Sequence, residues 1–221
     1  EIRKETNDCV SISFEIPPEL KDSFSFQHGQ NITIKKEING EETRRSYSIC
    51  SSPYENELRV AVKKVEGGFF STLANSLLKA GDELEILPPT GKFNTTLDKN
   101  NKKSYLAFAA GSGITPVISI IKTTLQTEPN SSFTLVYGNR SRASIIFFEE
   151  LEGLKNKYMN RFNLVHILSR ERTDAPINFG RINIETLPEL STMLNYSPLH
   201  DILICRPQTI IFTDNVSLQQ K

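Results

Sequence analysis

The sequence predicts two domains: an antiparallel β-barrel followed by an α/β domain with a doubly wound parallel sheet. From Ile2 to about Leu97, short segments alternate apolar and polar residues and are separated by turns, as in antiparallel sheets. Beyond a polar segment at 97–104, continuous apolar runs alternate with segments of helical spacing, which is typical of parallel strands joined by helices. We therefore expect one domain over residues 1–98 and a second over residues 104–221.

The individual elements follow from the same patterns. In the first domain, alternation predicts strands at 10–16, 31–35, 58–63 and 82–87. One helix interrupts them, with Ser71 as its expected N-cap. In the second domain, apolar runs predict strands at 105–110, 133–137, 162–168 and 201–205, and helices starting near Val117 and spanning 145–158.

Composition excludes some classes of partner. The 26 basic and 26 acidic residues cancel, so nothing favours nucleic acid or an acidic membrane surface. No apolar run approaches the roughly 18 residues of a membrane helix. The three cysteines, Cys9, Cys50 and Cys205, are widely spaced, which fits a reducing compartment, and we expect a cytoplasmic protein with no metal site of its own.

The first candidate site is the segment Arg45-Ser-Tyr47-Ser48 in a run of strand-forming residues. An arginine fork suits a diphosphate, and an aromatic ring suits stacking on a flat conjugated ring. A small hydroxyl allows close approach to a ring edge. The segment favours a dinucleotide flavin, and the alternative is an ordinary strand with one exposed arginine.

Two glycine-containing turns would suit phosphate groups. Gly67-Gly68-Phe69-Phe70-Ser71 leads into the first helix, whose free N–H groups would accept a phosphate, although simple capping is the alternative. Gly111-Ser-Gly113-Ile-Thr115-Pro116 joins a buried strand to a helix and is typical of a pyrophosphate site. It departs from the Gly-x-Gly-x-x-Gly fingerprint at Pro116, and a plain strand–helix turn is the alternative.

Polar residues also follow the next two strands. These are Tyr137-Gly-Asn139-Arg140 and Ser169-Arg170-Glu171-Arg172. Hydroxyls and arginines suit a 2′-phosphate, so these segments favour NADPH over NADH. Glu171 argues the other way, because an acidic residue suits the free ribose of NADH. Solvated surface arginines are the remaining alternative.

Taken in order, the motifs Arg-x-Tyr-Ser, Gly-x-x-Ser, Gly-x-Gly-Ile-Thr-Pro, Tyr-Gly-Asn-Arg and Ser-Arg-Glu resemble the ferredoxin–NADP reductase superfamily. Within it the chain is similar to the reductase components of bacterial oxygenases, and the resemblance covers nearly the whole sequence. It implies an FAD-dependent reductase that passes electrons from NADPH (or NADH) to an iron–sulfur protein domain or an oxygenase component. The oxygenase would act on an aromatic compound, as in phenylacetate degradation.

The resemblance also implies roles for individual residues. Two have catalytic roles: Ser48 would lie near flavin N5 and tune it by hydrogen bonding, and Thr115 would orient the nicotinamide. The remaining cofactor-binding residues are expected to be Arg45, Tyr47, Val62, Lys63, Gly68, Phe70 and Ser71 for FAD, and Gly111, Gly113, Pro116, Asn139, Arg140, Ser169, Arg170, Cys205 and Arg206 for the nicotinamide nucleotide.

Two features depart from the family pattern. Related reductases often carry a [2Fe–2S] cluster on four cysteines, and this chain has no such spacing. We therefore expect the cluster to come from a domain missing from this sequence or from a partner. Arg206 replaces the glycine of a Cys-Gly-Pro turn and would swing outward or hinder the nicotinamide. The alternative functions are thus a flavin-binding electron-transfer module with a degenerate nicotinamide site, or two fused domains without flavin.

Overall fold

The computed structural model describes residues 1–38, 40–173, 175–183, 186, 188, 190, 192 and 199–205. Within these residues, the strands are β1 (Ile2–Thr6), β2 (Cys9–Phe14), β3 (Asn31–Ile38), β4 (Glu41–Ser48), β5 (Leu58–Lys63), β6 (Glu85–Thr90), β7 (Ser104–Ala110), β8 (Ser132–Asn139), β9 (Phe162–Leu168) and β10 (Asp201–Cys205). The α-helices are α1 (Phe69–Ser76), α2 (Ile114–Thr127) and α3 (Phe148–Lys157). No helix of the described residues is long and apolar enough to cross a membrane.

The N-terminal half is built from two three-stranded antiparallel sheets. Their strand orders are β1-β2-β5 and β4-β3-β6, and a bridge between Ile49 and Val60 joins them. Inward-facing side chains of both sheets, including Ile32 and Val60, form one core with Phe70 of α1. Because successive strand residues alternate between faces, the same strands turn polar residues outward. The predicted antiparallel architecture is confirmed.

Several boundaries differ from the sequence prediction, and those of α1 and β6 have a clear physical reason. The predicted N-cap Ser71 is wrong: α1 begins at Phe69, and Gly68 is its N-cap. The Ser71 hydroxyl instead donates to the carbonyl of Gly68 (3.2 Å) and accepts from the N–H of Val65 (3.1 Å), closing the turn before the helix. Strand β6 also continues through Pro88 and Pro89, since an edge strand tolerates prolines.

The C-terminal half contains a four-stranded parallel sheet in the order β10-β7-β8-β9. Helices α2 and α3 cover one face, where Ile118 and Leu151 pack against Leu135 of β8. On the other face, Ile182 and Leu190 pack against residues of β7, β8 and β9. Strands β7, β8 and β9 are therefore largely buried on both faces, as the continuous apolar runs predict, whereas Ile202 and Ile204 of β10 are exposed.

Helix α3 is shorter than predicted. Its N-cap, Phe147, has a φ of 62°, so the chain leaves helical geometry there, and the preceding residues form only a short 3₁₀ turn at Arg142–Ser144.

The two halves share an apolar core and a hydrogen-bonded connection. Cys9, Cys50 and Ala61 of the barrel pack in the same cluster as the buried residues of α2. The connecting segment is held by Glu128, whose carboxylate accepts from the N–H of Asp98 at 3.1 Å and from three side chains. Apolar packing thus joins the two halves, and Glu128 ties the connecting segment to the α/β half.

Candidate functional site

An open cavity of about 1020 Å³ lies between the barrel and the carboxyl ends of the parallel strands. Residues at or next to the ends of β7, β8, β9 and β10 line it. The carboxyl ends of parallel strands are where ligands bind in such sheets. On the barrel side it is lined by the end of β4, the end of β5 and the turn before α1. All five predicted motif segments thus contribute residues to a common space between the two halves of the chain.

Strand β4 presents Arg45, Ser46, Tyr47 and Ser48 to the cavity. Arg45 and Tyr47 lie opposite Ile34 and Ile32 of β3, so they share one face of the strand pair, as alternation predicts. The Tyr47 ring packs 5.6 Å from the Phe70 ring at 46°. Burial raises the pKa of the Tyr47 phenol to about 12, so the phenol is neutral at pH 7.

The turn before α1 forms the next part of the wall. Gly67 has a φ of +71°, a conformation that favours glycine, and Gly68 precedes the first helical residue. The N–H groups of the first turn of a helix lack helical acceptors, so they can bind an anion. Phe69 stands beside this turn with 62% of its surface exposed, offering an aromatic ring at the cavity mouth.

The turn between β7 and α2 lines the cavity from the α/β side. Gly111 has a φ of +51°, and its carbonyl accepts a hydrogen bond of 2.8 Å from the buried Tyr137 phenol. Thr115 donates its hydroxyl proton to the carbonyl of Ser112 at 3.0 Å. Its oxygen lone pairs therefore stay available to accept a hydrogen bond. Pro116 lies in the first turn of α2, as predicted.

The turns after β8 and β9 are joined by backbone hydrogen bonds. Ser169 and Arg170 donate their N–H groups to the carbonyls of Asn139 (2.9 Å) and Arg140 (2.8 Å). Asn139 lies at the cavity wall, where only 9% of its surface is exposed. Its Nδ2 has no hydrogen-bond partner among the described residues. Less than 1 Å² of Nδ2 is accessible, so this atom faces the protein interior and not the open space of the cavity.

The cavity is strongly cationic. Among the described residues, its lining contains one carboxylate, Glu66, and six basic side chains, which are Arg45, Lys63, Lys64, Arg140, Arg170 and Arg181. Lys63 is partly neutralised, because its Nζ lies 3.5 Å from a carboxylate oxygen of Asp8. An excess of guanidinium groups in a cleft favours diphosphate and phosphate groups. The helix N-termini and this charge fit two dinucleotides.

Most predicted site residues line this cavity. Val62 does not, because it is fully buried in the barrel core. Arg206 lies outside the described residues. In strand β5 it is Ala61 and Lys63, the neighbours of Val62, that face the cavity. Cys205 also lines it, and burial raises the pKa of its thiol, so it is not a thiolate at pH 7.

Other lining residues were not predicted. Ser46, Lys64, Val65, Glu66, Gly67, Phe69 and Ser112 lie inside or directly beside the predicted motifs, so sequence proximity was the signal for them. Arg181 and Ile182 come from a loop far along the chain, and no sequence pattern marked them. Within the described ranges, no group of three or more His, Cys, Asp or Glu residues is arranged to hold a metal ion.

Family models match both halves of the chain. A model described as the oxidoreductase FAD-binding domain matches residues 1–95, and one described as the oxidoreductase NAD-binding domain matches residues 108–213.

Curated relatives point to oxygenase reductases. The chain is 43% identical over 211 residues to one of the subunits of 1,2-phenylacetyl-CoA epoxidase from Escherichia coli, covering 95% of this chain and 59% of that protein. It is 41% identical over 169 residues to the ferredoxin reductase component of 3-ketosteroid-9-alpha-monooxygenase from Rhodococcus rhodochrous, covering 75% and 46%. The chain therefore spans about half the length of these relatives.

Solved structures share the fold. A ferredoxin NADP⁺ reductase from Neisseria gonorrhoeae with bound FAD and NADP aligns with a TM-score of 0.72 at 20% identity, covering 94% of this chain and 82% of that one. The cytochrome b5 reductase domain of Ulva prolifera nitrate reductase aligns with a TM-score of 0.75 at 20% identity, covering 94% and 85%. The two family models and the curated relatives show that the chain belongs to the ferredoxin–NADP reductase family of FAD- and NAD-binding oxidoreductases, and the solved structures show the shared fold.

Proposed function

We propose that this chain oxidises NADPH and passes its electrons through FAD to an iron–sulfur acceptor, as part of an oxygenase reductase. The observation that carries the proposal is the position of Ser48 and Thr115. One comes from the barrel and the other from the α/β half, yet both line the same cavity. A flavin held by the first half and a nicotinamide held by the second would therefore meet there.

The barrel side would bind FAD. Arg45 and the N–H groups at the start of α1 would hold the diphosphate, since both supply hydrogen-bond donors to an anion. Tyr47 would pack on the isoalloxazine, and Ser48 would hydrogen-bond near N5. When bound, FAD supplies the redox chemistry, namely acceptance of a hydride and release of single electrons.

The α/β side would bind the nicotinamide nucleotide. Thr115 has already donated its proton to Ser112, so its oxygen would accept from the carboxamide N–H of the nicotinamide. Gly111 and Gly113 would let the backbone approach the pyrophosphate. Asn139 would form part of the wall beside the nucleotide.

The arginines around the second half favour NADPH. Arg140, Arg170 and Arg181 line the cavity together with Ser169, which provides the donors that a 2′-phosphate needs. Glu171, which argued for NADH in the sequence, is absent from this lining, and its carboxylate accepts from the N–H of Arg142 at 2.8 Å.

The cofactor preference is tested by Arg181→Ala. Loss of one guanidinium–phosphate contact of about 1.5–3 kcal/mol would raise the KM for NADPH roughly ten- to a hundredfold while leaving the KM for NADH within about threefold. Lys155→Ala, an exposed change on α3, is the control. Equal effects on both nucleotides would remove Arg181 from the 2′-phosphate site.

The wider assignment rests on the relatives. We propose that the acceptor is an iron–sulfur domain or oxygenase component, because the similar proteins are reductase components of oxygenase systems. An aromatic-compound oxygenase such as that of phenylacetate degradation is the favoured system, and a cytoplasmic location follows from it. We further propose residues 1–98 as the FAD-binding domain and 104–221 as the NAD(P)-binding domain.

One experiment tests the core of this proposal. The purified chain is titrated with FAD, and the flavin absorption is recorded before and after anaerobic addition of NADPH. Bleaching of the bound flavin is the expected result. A bound flavin that stays oxidised would support the electron-transfer module with a degenerate nicotinamide site. A folded chain that binds no FAD would overturn the proposal entirely.

A further inference from the structure

Helix α2 connects the two halves of the cavity through one of its faces. Its first turn carries Thr115 and Pro116 at the cavity wall. One to two helical turns later, side chains of the same helix contact the turn formed by residues 51–55. That turn follows the flavin-side strand β4, which ends at Ser48. The contacts between α2 and the turn therefore govern how the two cavity walls are placed relative to each other.

Hydroxyl groups make part of this connection. Ser119 donates to the carbonyl of Ser51 at 2.7 Å, and the hydroxyls of Thr123 and Ser52 lie 3.1 Å apart. All four residues are at least 97% buried, since none exceeds 3% exposure. A buried hydrogen bond is directional, so these contacts resist sliding of the helix past the turn.

Lys122 adds a buried charge to the same face. Its side chain is 9% exposed, and its Nζ lies 2.8 Å from Glu55 of the turn and 2.8 Å from Glu150 of α3. Burial alone would lower the pKa of Lys122, but the two carboxylates outweigh that effect and raise it, so the lysine stays charged. Glu55 also accepts the N–H of Ser52 at 2.7 Å, which fixes the carboxylate within the turn.

We propose that Lys122 is a positioning residue for hydride transfer, which holds the flavin-side turn and α2 in register through Glu55 and is oriented by Glu150. This inference rests on the proposed function, because it concerns the geometry between the two bound nucleotides. The ion pair touches neither the cavity lining nor the reacting atoms, so Lys122 acts only through the elements it joins. Stability alone does not explain a buried pair, since apolar replacement of such pairs is often neutral or stabilising.

The test is Lys122→Met in the FAD-loaded chain, with anaerobic stopped-flow reduction by NADPH. Reacting groups misplaced by about 1 Å can lose about a hundredfold in rate, so we expect at least a tenfold lower limiting rate of flavin reduction. Affinity for FAD and NADPH should stay within about twofold, because no residue of the lining changes. The charge-transfer absorbance of the NADPH complex, which reports stacking of the two rings, should fall in parallel.

Three further variants make the result specific. Glu55→Gln should reproduce the defect, because the neutral amide no longer pairs with the charge of Lys122 from the side of the turn. Lys122→Arg should restore most of the rate, because the cation is kept. Lys155→Met changes an exposed lysine of α3 and should react like the wild type. If Lys122→Met fails to fold, Glu55→Gln decides, because its carboxylate is 38% exposed and tolerates hydration.

An unchanged limiting rate in Lys122→Met or in folded Glu55→Gln would overturn the inference. So would a slow Lys122→Met whose charge-transfer absorbance equals that of the wild type. Wild-type flavin that NADPH does not reduce would overturn the proposed function and this inference together, and that outcome is recognisable before any variant is mixed.

Discussion

Replacement of Arg45 by alanine tests the flavin assignment most directly. The guanidinium lies at the cavity wall, where it donates to the carbonyl of Arg44 at 2.8 Å. Within the described part of the chain it forms no ion pair, so its charge is available to a diphosphate. If Arg45 binds that group, its removal weakens FAD binding without disturbing the barrel core.

The size of the effect follows from the exposure of the site. A hydrogen bond to a charged group contributes about 1.5–3 kcal/mol, and solvent screening at this exposed position favours the lower part of that range. A loss of about 1.5–2 kcal/mol corresponds to a rise of roughly 12- to 30-fold in the Kd for FAD. The effect should shrink at high salt, because exposed charges are screened there.

The assay is a fluorescence titration of the apoprotein with FAD at low and high salt. Arg44→Ala is the matched control, since Arg44 is the adjacent residue and pairs with Glu42 at 2.7 Å. The control should leave the Kd within about twofold. An Arg45→Ala chain with a wild-type Kd, or an equal loss in Arg44→Ala, would refute the diphosphate assignment.

Two predictions concern stability. Gly29→Ala should destabilise the fold by more than about 2 kcal/mol in urea unfolding, because a Cβ there would lie 1.7 Å from the backbone oxygen of Phe93. The control Gly40→Ala has a similar φ but open space around the Cβ, so it should cost about 1 kcal/mol. Equal losses of stability in the two variants would show that the contact with Phe93 is relieved easily. Burial opposes the charge of Glu128, but the hydrogen bonds that its carboxylate accepts hold its pKa below the usual value. The charged carboxylate therefore stabilises the fold fully above the unfolded pKa of about 4.3, and this stabilisation is lost as pH falls through the lower folded pKa. The free energy of unfolding of Glu128→Gln should therefore be about 2 kcal/mol lower than that of the wild type at pH 7, and the difference should shrink below about pH 4. The control Glu19→Gln changes an exposed residue and should match the wild type. A difference that does not depend on pH would show that the charge of Glu128 is not the cause.

The cavity wall at the parallel sheet was predictable from sequence because of a geometric rule. Residues that follow successive parallel strands must lie at one edge of the sheet, so the order of the strands and turns was enough to place Gly111, Asn139, Ser169 and Cys205 together. The barrel side was predictable for a different reason. Because strand residues alternate between faces, Arg45 and Tyr47 lie on the same face of β4.

The same alternation limits what the motifs could assign. Val62 follows Ala61 and precedes Lys63, so only the two flanking side chains can face the cavity while Val62 faces the core. Arg181 illustrates another limit. It reaches the cavity from a loop after a short 3₁₀ turn, and the approach depends on tertiary packing near Ile182, which leaves no periodic signal.

The seam between the halves shows why buried polar contacts belong in this interface. Apolar packing of Cys9, Cys50 and Ala61 against α2 holds the halves together, but it is non-directional and tolerates small shifts. The proposed hydride transfer would require the reacting atoms to lie about 3–3.5 Å apart, so such shifts would lower its rate. Directional contacts are what can remove that freedom, and Ser119 and Lys122 supply them on the helix whose first turn lines the cavity. Apolar packing alone could have held the two halves together. Burying a lysine in the interface is costly, and this cost is explained if the position of α2 relative to the turn at 51–55 must be fixed.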